Sequence, residues 1–161
     1  MKENDTKAKI EDTNGKGIHV DIVSVRLVRE SSIGYEKNQI GSTSDAYKLF
    51  RELLEDLDRE TFIVVSLDTK NRPVSINVAH IGNINSSIVS PACVVRVALL
   101  SNATSILIGH NHPSGNPEPS EADYSITRRL EQACDLMGIK LLDHLIIGDE
   151  CFVSLREEGV F

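Results

Sequence analysis

The chain has 161 residues, 40% hydrophobic and 25% charged, which suits one domain with a core of its own and excludes wholesale disorder. Seventeen Lys plus Arg against twenty-four Asp plus Glu leave a net charge of −7, arguing against a general phosphate-binding surface. No apolar run reaches the roughly 18 residues of a membrane helix. Met1 to Gly17 hold no apolar signal-peptide region, and Cys93, Cys134 and Cys151 form no CxxC pair or disulfide framework, so the expectation is a cytoplasmic protein. Trp is absent and aromatics are 4%, so single-stranded nucleic acid would find few stacking platforms.

Residues 1–17 are polar, carry both charge signs and show no periodicity, and are expected to be a disordered lead-in to one domain over 18–161. Ile18 to Arg29 alternates apolar and polar residues and predicts a strand. After a polar connection from Glu30 to Gly41, Ser42, Ser44 and Asp45 offer N-caps to a helix with Tyr47, Leu49, Phe50, Leu53, Leu54 and Leu57 at helical spacing. Thr61–Leu67 and Val74–Ile81 read as a hairpin about the turn Asp68–Asn71.

A Gly/Asn/Ser loop over Gly82–Ser87 precedes Pro91, which is placed to start a helix closing at Asn102. Thr104–Ile108 is continuously apolar, the pattern of a strand buried on both faces. The Gly109–Pro119 loop follows, then a helix opened by Ser120 and ended by Gly138, then strands Ile139–Ile147 and Phe152–Leu155. The order β-α-ββ-α-β-α-ββ predicts an α/β fold, a mixed sheet with flanking helices.

The chemistry concentrates in His110-Asn-His-Pro-Ser-Gly-Asn-Pro-Glu-Pro-Ser-Glu-Ala-Asp123. Two histidines at i and i+2 after an apolar strand point the same way if the extended conformation continues, so both imidazoles can reach one metal ion. Asp123, in the first turn of the next helix, can add a third ligand. Two His and one carboxylate leave a fourth position for water, the pattern of a catalytic zinc. Ser120 and Asp123 also form a plain capping box, a reading compatible with the first, since one carboxylate oxygen can face the metal while the other serves the helix end.

His110-x-His112, seven residues and Ser120-x-x-Asp123 resemble the JAMM (MPN-plus) metalloprotease signature, with every spacing in place. The fuller string GHNHPSGNPEPSEAD, with Thr127 and Leu142-Asp143-His144, is similar to the RadC-like branch of that superfamily, from about Val25 onward. The resemblance implies a cytidine-deaminase-like JAMM/MPN fold and one zinc per chain on His110, His112 and Asp123. It further implies that Glu60, heading Glu-Thr-Phe-Ile-Val-Val, acts on the attacking water and that Ser120 helps hold the tetrahedral intermediate.

Two departures stand out. The long RadC-like proteins carry an N-terminal helix-hairpin-helix region, where this sequence has a polar lead-in and one expected strand, so a DNA-repair role gains no support there. The family's Pro-Arg-Glu helix start reads Pro91-Ala92-Cys93.

Among the other candidates, Glu118 and Glu121 lie on the loop side and are expected to be solvated. His144 beside Asp143 is either a satisfied strand-end histidine or a group near the zinc, behind its ligands or facing substrate. His19 and His80 have no partner at ligand spacing and are expected to be structural. Cys93 and Cys134 are expected to be buried thiols.

The expectation for function is therefore a zinc-dependent hydrolase that cleaves an amide bond in a peptide or protein, with no membrane partner. The rivals are a metal-dependent nuclease or DNA-associated protein, which the charge does not support, and a non-catalytic zinc-binding interaction module.

Overall fold

The computed structural model describes residues 20–35, 37–82 and 89–161. The expected lead-in therefore lies outside the described residues, as do His19 and most of the Gly82–Ser87 loop. Helix α1 (Thr43–Leu54) precedes strands β1 (Thr61–Leu67) and β2 (Pro73–Ile81), then α2 (Pro91–Leu100), β3 (Ser105–Asn111), α3 (Glu121–Leu136), β4 (Lys140–Ile147) and β5 (Phe152–Ser154).

The strands form one mixed sheet in the order β2-β1-β3-β4-β5. β3 and β4 run parallel, joined through α3, and the other pairs are antiparallel. Strands β1 and β3 are buried along their whole length because helices cover both faces of the sheet. On one face, Val94 and Ala98 of α2 and Ile126 and Leu130 of α3 pack against Phe62, Val64, Ile106 and Ile108. On the other, Leu49, Phe50 and Leu54 of α1 pack against Ile63, Val65, Leu107 and Leu145. The result is the expected α/β architecture, with the chemistry-bearing loop leaving the C-terminal end of β3, where open α/β sheets place their sites.

The strand expected over Ile18–Arg29 is not formed. Residues 20–29 have no regular structure, and Val20, Ile22, Val23 and Val25 stand 69–81% exposed. Alternation makes a segment compatible with a sheet, but a strand also needs an edge to pair with, and here none of the five strands takes it up. Helix α1 ends at Leu54, so Leu57, expected on its apolar stripe, lies beyond it and is partly exposed. Cys134 is buried, and burial pushes its thiol up to about 11, whereas Cys93, expected to be buried, is exposed on α2.

Candidate metal centre

Strand β3 carries the extended backbone as far as Asn111, so His110 and His112 leave the same edge of the sheet on the face covered by α3. Gly109 has no room for a side chain, because a Cβ there would come within 2.5 Å of the Phe50 ring. On the other side of the site, Ser120 caps α3. Its hydroxyl accepts from Asp123 N at 3.2 Å, and the Asp123 carboxylate accepts in return from Ser120 N at 2.8 Å, completing a capping box. The cap holds Asp123 in the first turn, where the helix dipole favours a carboxylate.

These elements bring His110, His112 and Asp123 together, one ligand atom from each lying within 4.8 Å of the others. His110 Nε2 is 3.1 Å from His112 Nε2 and 3.2 Å from Asp123 Oδ1, while His112 Nε2 is 3.8 Å from Asp123 Oδ2. Two donors on one tetrahedral zinc lie about 3.3–3.4 Å apart, given Zn–N and Zn–O bonds of about 2.0–2.1 Å. The spacing fits.

The hydrogen bonds behind the histidines strengthen that fit. His112 Nδ1 is 2.9 Å from the carbonyl oxygen of Asn116, which can only accept, so Nδ1 carries the proton and the Nε2 of the neutral ring is a lone pair facing the cluster. A lone pair set against a carboxylate calls for a cation between them. His110 and Asp123 are 1% and 2% exposed, whereas the His112 side chain keeps 16%, so the centre is closed behind and open on the His112 side. Burial opposes ionisation of Asp123 most strongly, but the His110 ring beside it and the hydrogen bonds from Ser120 outweigh burial and hold the carboxyl well below the usual range.

The other sequence candidates are placed as follows. Glu60 immediately precedes β1, its carbonyl accepting from Gly82 N at 2.8 Å, and it is not among the three grouped ligands. Its neighbour Thr61 donates its N–H to the side chain of Asn111, the residue between the two histidines. Asn111 also donates to the carbonyls of Leu57 and Arg59, both at 3.2 Å, and so ties the segment that carries Glu60 to the end of β3. Ser120 directs its hydroxyl proton at Asp123 Oδ2, 2.6 Å away. Glu118 and Glu121 are exposed. His80 lies on β2 opposite Phe62, and its Nε2 has no hydrogen-bond partner among the described residues.

His144 is no strand-end residue. It lies within β4, fully buried, with Nε2 at 2.9 Å from His110 Nδ1 and Nδ1 at 2.6 Å from the Thr127 hydroxyl. Phe62 packs against both rings, at 6.0 Å from His110 and 5.5 Å from His144. Burial, with His110 alongside, pushes His144 well below the ordinary imidazole value and keeps it neutral. Asp143 does not orient that ring. Its carboxylate accepts from Ser154 Oγ, from Arg156 N and from the backbone N–H of His144, and so secures β5 and the turn after it.

Asn111 was not singled out in the sequence, although an Asn inside a strand is itself a signal, since strands disfavour it unless the side chain has buried partners. Beside His112 a cleft of ≈ 240 Å³ is lined in part by Glu55, Leu57, Gly115 and Asp149.

Comparison with known proteins agrees with this geometry. The model of the RadC-like JAB domain matches residues 40–160. The chain is 44% identical over 136 residues to a UPF0758 protein of Shouchella clausii, covering 84% of this chain and 58% of that one. It is 47% identical over 122 residues to a UPF0758 protein of Clostridium perfringens, covering 76% and 54%. With a UPF0758 protein of Methanosarcina mazei the identity is 42% over 130 residues, covering 81% and 57%. The chain thus spans a little over half the length of these curated relatives. Among the described residues no helix is long and apolar enough to cross a membrane. With the family match running from before α1 to beyond β5 and taking in every residue of the His110–His112–Asp123 cluster, the chain belongs to the RadC-like JAB domain family.

Proposed function

We propose that the chain is a zinc-dependent hydrolase of JAMM type that cleaves an amide bond in a peptide or protein. The observation that carries this reading is the convergence of His110, His112 and Asp123, closed behind and open toward the His112 cleft. These three residues would hold the ion. Bound there, zinc would supply Lewis acidity, lowering the pKa of a water to about 7 and polarising the scissile carbonyl.

The chain's own groups do the rest. Glu60, on the segment that Asn111 ties to β3, takes a proton from the attacking water and passes it to the leaving amine, general acid–base work that typically contributes about 10²–10⁴-fold. Ser120 supplies a hydroxyl beside the reacting carbonyl. Its proton engages Asp123, so stabilising an oxyanion requires it to exchange that partner. Glu55 and Asp149 line the cleft; Glu55 is paired with Arg51, while Asp149 disfavours a polyanionic nucleic acid and suits a neutral or cationic peptide segment.

The test compares zinc-loaded wild type with Glu60→Gln on a peptide library containing both main-chain and lysine-linked amides, read by mass spectrometry. Wild type releases new amines, and Glu60→Gln retains its zinc but is slower by about 10²-fold or more, because Gln cannot accept the proton. Equal cleavage by both proteins removes Glu60 from the mechanism, and loss of zinc from Glu60→Gln makes it a ligand instead.

A further inference from the structure

The hydrogen bonds behind His110 have only one consistent set of directions. The Thr127 hydroxyl lies 2.5 Å from the backbone carbonyl of Asp123, one turn earlier in α3. A carbonyl cannot donate, so the single hydroxyl proton is committed there. The contact between Thr127 Oγ1 and His144 Nδ1, at 2.6 Å, must then be donated by the ring. His144 is fully buried and its ring touches no carboxylate among the described contacts, so it is neutral and its Nε2 is a bare lone pair. That lone pair faces His110 Nδ1 at 2.9 Å, which must carry a proton. His110 in its neutral form therefore has no proton on Nε2, the atom that faces His112 and Asp123.

We propose that Thr127 and His144 are positioning residues, a hydrogen-bond relay that fixes His110 as the Nδ1-protonated tautomer and aims its Nε2 lone pair at the metal position. The relay closes on itself: it starts at the backbone carbonyl of Asp123 and ends opposite the carboxylate of the same residue. Register makes this possible. The irregularity between Ile106 and Leu107 sets His144 opposite Ile108, on the same face as His110 and beneath Thr127. The purpose of the relay rests on the zinc reading above, but the hydrogen-bond directions do not.

The test is to read histidine tautomers by long-range nitrogen–proton NMR in metal-free protein, at a pH above the ordinary imidazole range, alongside zinc titration. Wild type shows His110 and His144 both protonated on Nδ1. Thr127→Val removes the acceptor, so His144 moves its proton to Nε2 and donates to His110. The His110 proton then shifts to Nε2, and zinc affinity falls about 10–100-fold, the usual cost of losing a ligand's supporting partner. Thr127→Ser keeps the hydroxyl and restores both readings.

A wild-type His110 protonated on Nε2 overturns the relay, as do unchanged tautomers and affinity in Thr127→Val. If Thr127→Val fails to fold, the wild-type tautomers decide alone. The expected tautomers in a wild type that binds no zinc support the relay and remove the zinc reading instead.

Discussion

The side-chain carbonyl of Asn111 accepts the backbone N–H of Thr61 at 2.8 Å, joining residues fifty positions apart. With the bonds from its amide nitrogen to Leu57 and Arg59, one buried side chain satisfies three backbone groups of the segment leading into β1. Asn111→Ala leaves those groups orphaned and is expected to cost at least about 1–3 kcal/mol, measured by denaturant unfolding. The Asn111 side chain hydrogen-bonds to backbone groups of Leu57, Arg59 and Thr61, so, on the proposed role of Glu60, zinc binding is expected to survive while activity falls through the displaced Glu60 segment. Loss of zinc together with activity would show that Asn111 supports the ligands and not the segment of Glu60.

Asp123 does two jobs that substitution can separate. Asp123→Asn keeps an oxygen for Ser120 N but weakens the metal site, so the apo protein should stay near wild-type stability. Asp123→Ala also breaks the capping box and is expected to lose a further 0.5–2 kcal/mol or so in metal-free protein. Equal apo stabilities of the two variants would remove the capping role.

Much of this arrangement was legible in the residues. Ser120 with Asp123 marks the start of α3, the apolar run marks β3, and prolines and glycines mark the loop between them, because each of these signals is local. The strand nevertheless runs to Asn111, three residues past its expected end at Ile108, because pairing with β1 and β4 holds Gly109–Asn111 extended. The expected strand at 18–29 failed because pairing depends on an edge that alternation does not report. His144 beside His110 was only half legible. The two are 34 residues apart, and their contact depends on the β3–β4 register and its irregularity, a property of the sheet and not of either segment. The Asp143-His144 pair misled for a related reason: neighbours in a strand point to opposite faces, so one joins the metal centre and the other secures β5.

Asp143 carries a pH prediction. Burial raises its carboxyl above the ordinary 3.8, against hydrogen bonds from Ser154, Arg156 N and His144 N that favour the ionised form. A carboxyl raised in the folded state binds its proton more tightly there than when unfolded, so folding is favoured at low pH. That advantage is lost as pH climbs from the ordinary value through the raised one, and the loss then stays constant. Asp143→Asn does not titrate. Measured by denaturant midpoints on metal-free protein, wild type is therefore expected to lose ground against the variant across that window. A wild type that gains on the variant as pH rises would show that the hydrogen bonds outweigh burial.

The central claim is that His110, His112 and Asp123 form a site for one zinc ion, and calorimetric titration of zinc into tag-free, metal-free protein tests it most directly. The account predicts saturation at about one equivalent and loss of that binding in His112→Ala. No saturable binding by folded wild type, or binding that His112→Ala leaves unchanged, would contradict it.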